Sequence, residues 1–243
     1  VIDFSGLTAD LADLKTLAED NGLYLAKSNK KGYWLHFNTN QTVDIYTVKT
    51  ETDTCSSTTT DGISQTMNNP DLAQPLPDNG IIFVSDKVWV DGQINNSRLT
   101  IVAAKDPLAS GDADIIINHN LLYTNKDGTD VLGLIAQRNV LVGLYSDDNL
   151  EIDGVLIAKS GLVGRNYFAS DCSATYYKRN SLTLYGSIAS YSSYGFNWNC
   201  GGTYCSGYQT RTLGYDGHLT FSPPPYFPTS GEYVFISWRE LNP

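Results

Sequence analysis

Apolar and polar residues alternate along most of this chain, and four stretches share one spacing, apolar-x-apolar-x-Gly-x-apolar. Three of them are Val88–Ile94, Leu150–Leu156 and Leu182–Ile188; the fourth, Ile115–Leu121, carries His119 where the others have glycine. Period-two alternation aims one set of side chains inward, and the glycine lets a strand bend or its backbone pack closely. A unit that recurs every ~20–35 residues predicts stacked coils of parallel strand in place of a hairpin sandwich. Apolar-alanine steps, at Val102-Ala103, Ile135-Ala136, Ile157-Ala158 and Ile188-Ala189, suit the inside corner of a narrow coil. Turn signals at Asp127-Gly128, Asp147-Asp148-Asn149 and Ser160-Gly161 separate the segments. The expected fold is mainly β, a parallel β-solenoid of the β-helix kind, with a β-sandwich as the alternative.

The pattern changes towards both ends. Leu7, Leu11, Leu14 and Leu17 recur at helical spacing and predict one amphipathic helix over 7–20. Thr8 is its expected cap, Asp10 and Asp13 sit early where carboxylates favour the dipole, and Asn21-Gly22 supplies the stop. Tyr33–Phe37 and Val43–Val48, joined by 38–42, read as a hairpin. Helix and hairpin are expected to cap the open end of the strand stack, because a bare edge invites aggregation. Residues 49–79, rich in Thr, Ser, Asp, Asn and Pro, read as a long loop. Two units follow: residues 1–79 as cap and loop, and residues 80–243 as the solenoid with a Tyr/Gly/Pro-rich C-terminal region. In that region Pro223-Pro224-Pro225 is extended, and residues 233–239 read as a last strand that serves as a second cap.

Composition narrows the setting. The chain has 243 residues and a formal charge of -10, so nucleic acid and anionic membrane would repel it. No run approaches the ~18–20 apolar residues of a membrane span, so this part is expected to stay out of the membrane. Only 17% of residues are charged while Thr, Ser, Asn, Gly and Tyr are abundant, a balance common in secreted and cell-surface β proteins. The chain opens on Val1-Ile2-Asp3 without a Met. An ectodomain is expected, extracellular or on the cell surface, anchored by a segment upstream of Val1.

The four cysteines, Cys55, Cys172, Cys200 and Cys205, fit disulfides in an oxidising compartment. Cys200 and Cys205 flank a flexible Gly201-Gly202-Thr203-Tyr204 loop that can close locally, which leaves Cys55 for Cys172. Zinc is the competing reading, against which stand the absence of any Cys-x-x-Cys and three scattered histidines.

Several phrases carry a family resemblance: Ile81–Val84 through Val88–Gly92, Ile115–Thr124, Asp130–Ser146, and Tyr233–Glu240 ending in Ile-Ser-Trp-Arg-Glu. In these the chain resembles uncharacterised bacterial surface proteins of the pilus-assembly or minor-pilin-like kind, often from candidate-phylum bacteria. In that family a pilin-like hydrophobic helix precedes the soluble part, and this chain lacks it. The resemblance covers most of 80–243 and more loosely the N-terminal part. It implies a cell-surface place and a role in pili or attachment, and it brings no catalytic residues.

Candidate chemistry is sparse. Asp147 and Asp148, with Asp153 or Glu151, are the nearest to a paired-carboxylate site for glycoside cleavage, which needs two carboxyls ~5–10 Å apart. A polar Ser-Asp-Asp-Asn turn is the simpler reading, since no Arg or His clusters beside it in sequence. Asn125–Asp130 has the oxygen-rich look of a calcium loop through Asp127 and Asp130, but the EF-hand spacing is incomplete. No cofactor is expected; calcium is the one left open, and a turn is preferred to it. His36, His119 and His218 come without a Gly-x-Ser-x-Gly elbow, so they are read as structural. Tyr191, Tyr194, Trp198, Tyr204 and Tyr208 crowd near the C-terminal end, where they either stack on a sugar or partner or plug the stack.

Taken together the sequence reads as a non-enzymatic extracellular surface protein, structural or adhesive, whose partners are pilus or surface-assembly subunits or an extracellular glycan. A carbohydrate-active β-helix enzyme, glycoside hydrolase or lyase, is the alternative. A filament subunit pairing end to end is the third.

Overall fold

The computed structural model describes residues 7–227, which form one helix, a short 3-10 turn and eighteen strands of a single extended sheet. The last predicted strand, 233–239, lies outside the described residues. The protein is mainly β, and most of its strand pairs are parallel, unlike the antiparallel hairpins of a β-sandwich.

Three parallel ladders organise the chain. The first stacks Leu23–Leu25, Ile81–Val84, Arg98–Ala103 and Val131–Ala136 with the C-terminal halves of Asn149–Ala158 and Lys178–Ser190. The second begins at Gly32–Asn38 and the first half of Val88–Ile94, and runs through Ile115–Ile116, Val140–Val142 and Val163–Arg165 to Tyr194–Gly195. The third joins the end of Val88–Ile94 to Leu121–Tyr123, the N-terminal halves of Asn149–Ala158 and Lys178–Ser190, and Thr203–Tyr215. Ile82, Ile101, Leu134, Leu156 and Ile188 share one register position, so successive passes of the chain take 19, 33, 22 and 32 residues.

Alternation decides which side chains meet. Ile82, Ile101 and Leu134 of the first ladder, Val88, Ile115, Val140 and Val163 of the second, and Leu121, Ile152 and Leu184 of the third share one buried core. Ala103, Ala136 and Ala158 stack in register inside it as the apolar-alanine steps suggest, while Ala189 falls one position earlier, beside Ile157.

The glycine repeat divides into two cases. Gly154 and Gly186 stack in register at φ 151° and 152°, each at the point where a long strand passes from the third ladder to the first. A Cβ on Gly186 would lie 1.9 Å from the carbonyl oxygen of Gly154, so only glycine fits that corner. The Ile115–Leu121 copy behaves differently. Val88 pairs with Ile115 and Gly92 with Leu121, so four residues stand between Ile116 and Leu121 where two stand between Trp89 and Gly92. His119 lies in that excess and is exposed, which is why its position needs no glycine.

The N-terminal helix spans Leu7–Asn21, which places Thr8 inside its first turn instead of before it. Leu11, Leu14 and Ala18 pack with Ile81, Phe83, Val102, Ile135 and Ile157, the outward-facing row of the first ladder. The helix therefore covers a flank of the stack and does not lie across its end as expected. That row is apolar and needs cover, and the Pro-rich segment helps to supply it. Thr100 Oγ1 donates to the Pro225 carbonyl at 2.5 Å, and Phe227 packs beside Gly133.

The predicted hairpin is present as Gly32–Asn38 against Thr42–Glu51, with Leu35, Phe37, Val43 and Ile45 in the main core. Residues 49–79 are not all loop. Ile63–Thr66 and Asp71–Pro75 pair antiparallel with Thr42–Glu51, short edge strands whose polar composition gives no alternating signal. At the opposite end Leu213 follows Leu184 in register, yet it is 49% exposed where Leu184 is 2%. Both predicted disulfides, Cys55–Cys172 and Cys200–Cys205, are formed. Among the described residues no helix is long and apolar enough to cross a membrane.

Candidate functional site

The outward side of the second ladder carries a row of large apolar side chains. Trp34 and Trp89 are register partners, Trp89 pairs with Ile116, and Ile116 pairs with Leu141. Val48 packs into this row, with Ile63 and Leu162 at its margin. Residues 52–62 form a strap over it. The Asp61 carbonyl accepts from Trp89 Nε1 at 2.8 Å and from Asn118 Nδ2 at 2.7 Å, and the Thr60 carbonyl accepts from the Leu144 N–H at 2.9 Å. The Cys55–Cys172 disulfide ties the strap to the loop that follows Val163–Arg165.

Between strap and sheet lies a cleft of about 480 Å³. Its aromatic lining is Trp34, Trp89 and Tyr145, with Thr52 and Ile63 on the strap side and Asp91, Asn118 and His119 on the sheet side. Trp34 stacks on Tyr46 at 4.5 Å between ring centroids, and Tyr145 meets Tyr176 edge-on at 5.2 Å. Both platforms are thus braced from behind.

The polar groups of the cleft are held by the protein itself. Asp91 Oδ2 accepts from Trp34 Nε1 at 2.8 Å, and Asp91 Oδ1 lies 2.5 Å from His36 Nδ1. Asn118 Oδ1 accepts from the Gly143 N–H at 2.8 Å. His119 Nδ1 lies 2.9 Å from Asp147 Oδ1, and the ring is exposed. Beneath the strap Asp61 is buried, and that burial pushes its carboxyl up from the ordinary range against the opposing pull of Lys87. Lys87 is itself occupied by Glu51, at 2.5 Å, and lies over the Trp89 ring. The cleft thus combines fixed aromatic side chains with one lining carboxylate, Asp91, an amide and an imidazole.

The carboxylates singled out in the sequence are dispersed. Asp147 faces His119, so a histidine does stand beside this turn although none is near it in sequence. Asp148 is exposed, accepts from the Asn180 N–H at 3.1 Å and lies 3.6 Å from Arg179 Nη1. Asp153 is fully buried, 2.9 Å from Lys126 Nζ and bonded to the Tyr123 N–H; burial pushes its carboxyl up. Each of these carboxylates thus has its own partners within the protein.

The calcium candidates are likewise engaged. Asp130 Oδ1 accepts from the Ser97 N–H and Oδ2 from the Asn125 N–H, while Asp127 Oδ1 accepts from the Thr129 N–H. Among the described residues the grouping of metal-type ligands is Cys55, Asp171 and Cys172, whose two sulfurs are bonded to each other.

The five aromatic candidates split by burial. Tyr191, Tyr194 and Trp198 are exposed, and Trp198 Nε1 donates to the Arg165 carbonyl at 3.0 Å. Tyr204 is partly buried, its hydroxyl within hydrogen-bond distance of the Arg179 and Gly207 carbonyls. Tyr208 is fully buried and donates to the Asp147 carbonyl at 2.7 Å, with Ser146 Oγ 3.0 Å from the same hydroxyl, so it is a core residue and no platform. Tyr194 instead lines a shallow opening of about 300 Å³ with Leu184, Leu213 and Tyr215 at the end of the stack.

Sequence reasoning missed the cleft. Its one signal is the phase shared by Trp34-Leu35-His36 and Trp89-Val90-Asp91, which becomes meaningful only when the two strands are known to be neighbours.

No protein-family model matches this chain, and neither a curated protein nor a solved structure matches it.

Proposed function

We propose that this chain is a non-enzymatic extracellular surface protein, wound as a β-solenoid, that adheres to its target through the Trp34–Trp89–Tyr145 cleft. The winding is supported by three ladders that successive passes of the chain visit in turn. An oxidising, extracellular place is supported by the two disulfides. Attachment or pilus-type assembly as the context rests on the family resemblance of residues 80–243. The observation that carries the binding role is the cleft itself: aromatic faces braced by Tyr46 and Tyr176, with polar neighbours already bonded within the protein.

A stack of this kind acts by presentation. Its strands are fixed by ladder hydrogen bonds and a shared core, so the cleft keeps its shape without a ligand and little ordering entropy opposes binding. Beads coated with the chain, tested on cells and on glycan-coated surfaces, measure this directly. Trp34→Ala, in a folded protein, is expected to weaken retention roughly tenfold, as loss of an aromatic anchor does. Retention unchanged by that variant overturns the role of the cleft.

One observation favours a second reading, a carbohydrate-active enzyme: His119 and Asp147 form a pair at the cleft rim. Release of soluble saccharide by the wild-type chain, abolished in Asp147→Asn without loss of fold, would replace adhesion with catalysis.

A further inference from the structure

We infer that the cleft takes an uncharged pyranose ring of a neutral glycan and rejects anionic saccharides; this rests on the adhesion reading above and names the ligand of the same site. The first argument is shape. A volume of about 480 Å³ lies within the roughly 300–1,000 Å³ of small-ligand sites, whereas stable protein partners need broad surfaces of roughly 1,200 Å² or more. A pyranose offers an apolar face of C–H bonds and an equatorial belt of hydroxyls. Trp34 and Tyr145, the accessible aromatic faces of the cleft, supply the surface for the first, over a floor formed by the buried Trp89. His119, exposed at the margin with its Nδ1 toward Asp147, presents its Nε2 for the second.

The second argument is charge. Asp91 and His119 with its partner Asp147 are on the sheet side, Asp61 is buried in the strap, and Glu51 ends the strand that leads into it. Two ammoniums lie here: Lys87 is bound to Glu51 at 2.5 Å and lies 3.7 Å from Asp61, and Lys31 lies 3.9 Å from the same Glu51, so both are engaged by carboxylates. The whole chain carries -10, which adds a repulsive field. Uronates, sulfated sugars and sialylated sugars would bring an anion into this field, where the neighbouring ammoniums among the described residues already face carboxylates. A neutral ring meets no such opposition.

The test is titration of the full chain with neutral oligosaccharides of glucose, galactose and mannose and with uronate oligomers, followed by tryptophan fluorescence and calorimetry. Neutral ligands are expected to bind with little salt dependence, and Trp34→Ala to weaken them roughly tenfold while Trp34→Phe retains most affinity. Trp198→Ala, at the other end of the stack, is the control and is expected to leave binding unchanged. Uronates are expected to bind at least about tenfold more weakly, with the gap narrowing as salt screens the rim. Preferred binding of uronates overturns the inference, and so does neutral binding that survives Trp34→Ala in a folded protein. If no neutral sugar binds while beads still hold to cells through Trp34, the ligand assignment fails and adhesion stands. If Trp34 matters in neither assay, both fall.

Discussion

Cys55 and Cys172 are 117 residues apart in sequence, and their disulfide fastens the strap over the cleft to the loop that follows Val163–Arg165. The strap is otherwise held by a few hydrogen bonds, chiefly from Trp89, Asn118 and Leu144, and buries little apolar surface of its own. Replacing both cysteines with serine is expected to cost about 2–5 kcal/mol in a denaturant titration. Hydrogen exchange should locate the loosening in residues 52–62, with the ladders still protected. Uniform loss of protection across the ladders would show that the disulfide supports the core instead of the cleft.

Gly186 is the second sharp test. Its φ of 152° and the 1.9 Å approach of a Cβ to the Gly154 carbonyl leave no room for a side chain. Gly186→Ala is expected to destabilise the protein by about 2–4 kcal/mol, because strain and a backbone clash coincide. Gly195 has nothing within 4 Å of its Cβ position, so Gly195→Ala should change stability little. Equal effects of the two variants would remove the corner from the account.

Arg165 is 1% exposed and spans three pieces of chain. Its guanidinium donates to the Gly143, Leu144 and Tyr176 carbonyls and to Ser146 Oγ, and burial pushes it down to about 10, still charged at neutral pH. Arg165→Met leaves those acceptors without a donor in a buried place. A loss of roughly 3–5 kcal/mol is expected in urea, with Tyr145 and Tyr176 freed at the cleft wall. A variant within experimental error of wild type would mean that water replaces the guanidinium at no cost.

Asp61 gives a pH-dependent prediction. Burial raises its folded pKa above the ordinary 3.8, so the folded protein holds this proton more tightly than the unfolded chain does. The group therefore contributes a penalty that is absent below the unfolded pKa, grows as pH rises through the folded pKa, and stays above it. Asn keeps the shape and tolerates the residue's φ of 54°. Asp61→Asn should thus be more stable than wild type at neutral pH, and the difference should shrink on acidification. Thermal melts across the acid range measure it; a difference that grows on acidification contradicts the sign.

Local pattern made much of the fold legible. Alternation with a recurring glycine pointed to strands in parallel stack, and helical leucine spacing placed the helix to its end at Asn21. Chain geometry around Gly201-Gly202 gave one disulfide and, by remainder, the other. The edge strands within 49–79 were hidden because Thr, Ser and Pro pair at a margin without burying one face.

The site was far less legible, for a physical reason. The sequence by itself determined which side chains of a strand share a face, since that depends on a period of two residues and nothing distant. Which strands become neighbours was decided only by the tertiary structure, through pass lengths of 19 to 33 residues and two extra residues before Leu121. That register set Trp34 beside Trp89 and His36 beside Asp91, sank Tyr208 into the core, and separated Asp147, Asp148 and Asp153 into different surroundings. A one-residue slip of any pass would have turned these side chains to the opposite face, so the cleft is a property of the stacked register and not of any single segment.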